Sequence, residues 1–130
     1  MSQLPKLQLW FEGLRPKTIP AAVVPVIVGT ASVKTGLTLH RLLLALVVSI
    51  ALQVGVNYAN DYSDGIRGTD EDRIGPRRLV GSGLIDAKQV KVAAGISFLI
   101  AAIAGLVLAI MTSLLLIVIG CLAILAAWFY

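Results

Sequence analysis

The stretch from Val92 to Tyr130 reads VAAGISFLIAAIAGLVLAIMTSLLLIVIGCLAILAAWFY, thirty-nine residues without a Lys, Arg, Asp or Glu. A helix needs roughly 20 apolar residues to cross roughly 30 Å of hydrocarbon. The run is therefore long enough for two crossings, Val92 to Ile110 and Leu114 to Tyr130, joined by a tight uncharged connection around Met111 to Ser113. Two further apolar segments precede it. Leu42 to Gly55 continues without a breaker through Asn57 and Asn60, so the second crossing is expected over about 42–60 and is polar at its C-terminal end. Thr18 to Val33 is expected to be the first, although Pro20, Pro25 and Gly29 open its backbone bonds unless neighbouring helices supply partners. A signal-peptide h-region is the alternative for this segment, opposed by its late start, by Glu12 and by the two prolines.

The composition agrees with a membrane protein. The 130 residues are 58% hydrophobic and 14% charged, with mean hydropathy +0.90, whereas soluble domains are about 25% charged. A soluble globular domain and a disordered chain are both excluded. The net charge of +4 does not indicate nucleic acid, because the basic residues flank apolar segments. Nine Lys and Arg lie before the first crossing or between the second and third, against two, Lys34 and Arg41, in the first hairpin. By the positive-inside rule the N-terminus and the 61–91 loop face the cytoplasm of a multi-pass cell-membrane protein. Met1 to Lys17, with Trp10 and Phe11 among alternating leucines and charges, reads as an interfacial amphipathic segment. The single cysteine, Cys121, excludes an intrachain disulfide or a CxxC metal site.

Of the 18 charged residues, 12 lie between Asp61 and Lys91, and six of the seven acids fall between Asp61 and Asp86. If the second crossing stays helical past residue 60, Gln53, Asn57, Asn60, Asp61 and Asp64 fall within about 50° of one direction. Carboxylates and amides on one face at the membrane boundary need a compensating cation or a basic partner. Mg²⁺ takes oxygen ligands, keeps several waters and is often completed by substrate phosphates. The plainer alternative is a solvated loop whose acids pair with Arg67, Arg73, Arg77 and Arg78. The EF-hand spacing is absent, His40 is the only histidine, and no GxxxxGK[ST] occurs, which disfavours calcium loops, zinc or Ser-His-Asp chemistry and a nucleotide P-loop. A cation transporter or small membrane subunit is a non-enzymatic alternative. It expects polar residues through the bilayer, where Val92 to Tyr130 offers only Ser97, Thr112 and Ser113.

Asn60-Asp61-Tyr62-Ser63-Asp64, followed by Asp70, resembles the first aspartate-rich motif of the UbiA-type intramembrane prenyltransferases. The match is closest to the menaquinone branch, the 1,4-dihydroxy-2-naphthoate polyprenyltransferases. It runs through Asn57 to Gly65, Arg67-Gly68-Thr69-Asp70, Gly75-Pro76-Arg77-Arg78-Leu79-Val80 and Ser82-Gly83, with Leu14-Arg15-Pro16-Lys17-Thr18-Ile19-Pro20-Ala21 near the start. Five residues separate Asp64 from Asp70, where three are usual in the family. CDP-alcohol phosphatidyltransferases share the Asp-x-x-Asp start, but Gly68-Thr69 stands where that motif has Ala-Arg.

The resemblance implies an all-α polytopic transmembrane bundle of about nine helices, of which this chain holds the first four. An N-terminal fragment, inactive without the second aspartate-rich motif in the remainder of the chain, is the expectation. It also implies transfer of a polyprenyl group from polyprenyl diphosphate to 1,4-dihydroxy-2-naphthoate with decarboxylation, giving demethylmenaquinone; 4-hydroxybenzoate and homogentisate are alternative acceptors on the same scaffold. Asn60, Asp61, Asp64 and Asp70 are then expected to hold Mg²⁺, with Asp61 and Asp64 catalytic. Arg67, Arg73, Arg77, Arg78, Gln53 and Asn57 are expected to contact substrate, and Arg15 and Lys17 are candidates for the acceptor carboxylate.

Overall fold

In the computed structural model, which describes residues 5–36, 38–68 and 78–129, every regular element is helical. α1 covers Lys6–Leu14 and α2 covers Ile19–Ala31, with a short 3₁₀ turn at Pro16–Thr18 between them; α3 is Leu39–Arg67, α4 Ala87–Thr112 and α5 Leu115–Phe129. Asp70, Arg73 and Arg77 of the expected site lie outside the described residues.

Hydropathy alone underestimates the two long helices. α3 continues to Arg67, where Gly68 at φ 68° provides the left-handed C-cap. α4 starts at Ala87, five residues before the uncharged run, because the Asp86 side chain accepts the Lys88 N–H as its N-cap. Both ends project beyond the apolar span. α3 and α4 are long and apolar enough to cross a membrane; α2, at 13 residues, and α5, at 15, are shorter. α4 and α5 meet at an extended Ser113, whose Oγ accepts the Leu115 N–H at 3.3 Å.

α3 and α4 pack antiparallel along most of their length. Contacts fall at seven-residue intervals on α3 and at six- or seven-residue intervals on α4. Arg41 donates to the Met111 carbonyl at 2.8 Å, Val48 meets Gly105, Phe98 lies over Gly55, and Lys91 sits 5.5 Å above the Tyr62 ring. Such spacing is that of left-handed helix pairs. Small residues let the backbones approach: Ala94, Ala101, Ala104 and Ala109 are buried on α4, and a side chain at Gly55 would collide with Phe98. α2 lies against α3, whose Ser49 Oγ donates to the Ala22 carbonyl at 2.8 Å. Pro25 removes a helix N–H one turn further on, and the hydroxyl ties α2 to α3 beside that weakened turn.

The best-buried cluster gathers at one end of the molecule. Leu9 of α1, Tyr58 of α3, Leu79 and Ile85 of the returning segment, and Val90, Ala94 and Phe98 of α4 form it. α1 is held there by Tyr58, whose hydroxyl donates to the Trp10 carbonyl at 3.0 Å while the two rings meet edge to face. Leu7 and Phe11 on its other side are exposed, as an interfacial helix requires. Elsewhere the surface is apolar: Val92, Ile96, Leu99 and Ile103 of α4 and Leu122 and Leu125 of α5 all face outward. An outer face of this kind fits lipid.

Candidate active site

The last three turns of α3 carry the polar residues, and the helix sorts them onto two sides. Asn60, Ser63, Asp64 and Arg67, spaced i, i+3, i+4, i+7, line a cavity of about 370 Å³ whose apolar walls include Ala59, Ile66, Trp128 and Phe129. Tyr62 also reaches it. Trp128 is braced edge to face against Phe98 at 6.0 Å. A carboxylate, an amide, a hydroxyl and a guanidinium thus share a pocket with aromatic rings from the end of α5. Among the described residues, no group of three or more His, Cys, Asp or Glu comes together. Asn60, Ser63 and Asp64 can each offer an oxygen, the ligand atom Mg²⁺ takes when phosphates and water complete its shell. Asn60, Ser63 and Asp64 therefore fit a cation held jointly with a substrate, and do not form a closed site of their own.

Asn57, Asp61 and Gly65, spaced four apart, look the other way. Asn57 is buried, and its Nδ2 donates to the Leu14 carbonyl at 2.8 Å and the Thr18 Oγ1 at 2.9 Å. It ties the junction of α1 and α2 to α3. Gln53 Nε2 approaches Asn57 Oδ1 at 3.5 Å, the limit of a hydrogen bond. Asp61 is fully buried; its Oδ2 accepts the Leu79 N–H at 2.9 Å and its Oδ1 accepts the Val80 N–H at 3.0 Å. Next to that turn, the Arg78 guanidinium lies 3.3 Å from Asp64, which keeps a third of its side chain exposed.

The single face inferred from the sequence is thus two faces, one lining the cavity and one gripping the rest of the fold. Arg15 occupies the left-handed region at φ 56° as the C-cap of α1, and its Nη2 is buried without a hydrogen-bond partner among the described residues. Neither Arg15 nor the exposed Lys17 lines the cavity. Sequence reasoning missed Ser63, Tyr62, Trp128 and Phe129. Ser63 was legible, because it stands three residues before and after cavity positions 66 and 60 on the helix; the aromatic pair, more than sixty residues away, was not.

An intramembrane helical bundle with an acidic and basic pocket at one polar end defines a class, and comparison with known proteins narrows it. The UbiA prenyltransferase family profile matches residues 22–130, and the chain belongs to that family. Among its relatives, a 1,4-dihydroxy-2-naphthoate octaprenyltransferase of Mycobacterium tuberculosis is 51% identical over 126 residues, covering 93% of this chain and 42% of that protein. The Mycobacterium leprae protein of the same name is 50% identical over the same shares, and the Escherichia coli one is 41% identical over 82% of this chain and 35% of its own length. The chain therefore spans about two-fifths of the mycobacterial relatives it matches. No solved structure matches it.

Proposed function

We propose that the protein transfers a polyprenyl group from polyprenyl diphosphate to 1,4-dihydroxy-2-naphthoate, with release of diphosphate and loss of the ring carboxyl group as CO₂, to give the quinol form of demethylmenaquinone. The observation that carries this reading is the 370 Å³ cavity in which Asn60, Ser63, Asp64 and Arg67 face Trp128 and Phe129; the names of the relatives at 50–51% identity support the acceptor.

The hard step is departure of diphosphate from the allylic carbon, so cations belong where negative charge grows. Mg²⁺, when bound, supplies Lewis-acid neutralisation of the diphosphate oxygens. Asn60, Ser63 and Asp64 would hold it, with Asp70 of the same motif as a further carboxylate. Arg67 on the cavity wall and Arg78 beside Asp64 bind diphosphate oxygens through their planar forks. Trp128 and Phe129 keep water from the carbon that loses its leaving group, and their π faces favour the positive charge that develops on it. The membrane is the cell membrane, with the N-terminus and the 61–91 segment on the cytoplasmic side, a reading supported by the nine-to-two distribution of basic residues.

The test uses the full-length protein in membranes, supplied with dihydroxynaphthoate and radiolabelled polyprenyl diphosphate over a range of Mg²⁺. Mg²⁺-dependent prenylation that falls on the order of 100-fold in Asp64→Ala is expected. Prenylation of 4-hydroxybenzoate or homogentisate in its place would overturn the acceptor. Full activity of Asp64→Ala would overturn the site.

A further inference from the structure

Asp61 and Asp64 stand one turn apart in one motif and meet the same returning turn, yet they differ in exposure and in what they bond. Asp64 lines the cavity. Asp61 is 0% exposed, and its two carboxylate oxygens accept consecutive backbone amides, those of Leu79 and Val80. We infer that Asp61 is a positioning residue: it clasps the 78–83 turn to α3 and so carries the Arg78 guanidinium to Asp64, without itself belonging to the diphosphate and metal site. The inference rests on the prenyl-transfer reading for what Arg78 does, and on geometry alone for the clasp.

The turn is built to be held in one seat. Its own bonds fold it back on itself: Ser82 N–H to the Arg78 carbonyl at 3.1 Å, Gly83 N–H to the Val80 carbonyl at 2.9 Å, and Ile85 N–H to the Leu79 carbonyl at 3.2 Å. Gly83 at φ 70° allows the reversal. Leu79, 2% exposed, presses on Gly13 of α1, and Val80 presses on Gly65 of α3; a methyl group at either glycine would collide with the side chain above it. The amides of Leu79 and Val80 point inward and need an acceptor with two oxygens. A carboxylate meets both with charge-assisted bonds, which offset the cost of burying it. An Asn there offers one oxygen and sets an NH₂ against the second N–H. The position thus needs an acid for a reason unrelated to metal.

The experiment compares Asp61→Asn, Arg78→Gln, their double variant and Asp64→Asn in the full-length membrane protein. Asp61→Asn is expected to raise KM for polyprenyl diphosphate by about tenfold or more, with kcat within about threefold and the Mg²⁺ concentration for half-maximal rate unchanged. Arg78→Gln is expected to do the same, and the double variant to be no worse than Arg78→Gln alone, because the two act in series. Asp64→Asn is expected to raise the Mg²⁺ requirement instead.

A second readout needs no activity. The bond trypsin cuts after Arg78 is the one whose N–H Asp61 holds, so Asp61→Asn is expected to release a fragment beginning at Leu79 faster than wild type, and Asp64→Asn is not. Gly65→Ala keeps every charge, displaces Val80, and is expected to match Asp61→Asn in both assays. A shifted Mg²⁺ requirement in Asp61→Asn, additive effects in the double variant, or unchanged cleavage after Arg78 would each overturn the inference. A wild-type protein that does not prenylate dihydroxynaphthoate would overturn the proposed function and leave the cleavage result to decide the clasp.

Discussion

Asn57 shows how much a single amide does at this end of the fold. Its Nδ2 satisfies the Leu14 carbonyl and the Thr18 hydroxyl across 43 and 39 residues of chain. Asn57→Ala leaves the carbonyl without that donor in a buried place, a loss of about 1–3 kcal/mol, and the measurement is the melting temperature of the detergent-solubilised protein. Asn57→Asp is expected to be worse, because it turns an acceptor toward an acceptor. Tyr58→Phe removes one bond to Trp10 and is expected to cost about 0.5–1.5 kcal/mol. At this scale the sequence was half legible. The motif located the polar residues, and helical spacing put them on one side of α3. It did not separate Asp61 from Asp64, since the two differ only in what comes back to meet them, and that depends on Leu79 and Val80, eighteen and nineteen residues further along.

The helices themselves were legible as apolar runs but not in extent. Hydropathy reports the part of a helix that lies in hydrocarbon, whereas its ends are set by caps such as Gly68 and Asp86. The seam between α3 and α4 was invisible, because an alanine-rich stripe reads the same toward a partner as toward lipid. Gly55 tests that seam. Gly55→Val places a branched side chain where the Phe98 ring lies, and an overpacking cost of about 1–3 kcal/mol is expected. Because Phe98 also braces Trp128, Gly55→Val is expected to lower prenyl transfer as well as stability. Ser49→Ala acts on the other side of α3, removing its hydroxyl bond to the Ala22 carbonyl, at an expected cost of about 0.6 kcal/mol.

As a whole the molecule is polarised. Its best-packed cluster and most of the described charged residues, Lys34 and Arg41 apart, share one end, while the outward faces of α4 and α5 are apolar. The orientation in the bilayer is open to direct measurement. Cys121 is the only cysteine, so Cys121→Ser gives a background in which Ser82→Cys is expected to react with an impermeant maleimide from the cytoplasmic side and Lys34→Cys from the opposite side. Labelling of both from one side would refute the topology.

The contact between Gly13 and Leu79 has a consequence in time. α1 is made before the floor it rests on, which Tyr58, Leu79 and Ile85 supply. At about 5–20 residues per second, the ribosome takes roughly 3–13 s to travel from one side of that contact to the other. Until residue 79 is made, the Gly13 side of α1 lacks the Leu79 side chain that covers it. The headgroup boundary is where such a helix waits. The packing of α1 into the bundle is thus completed only after residue 85 has been made.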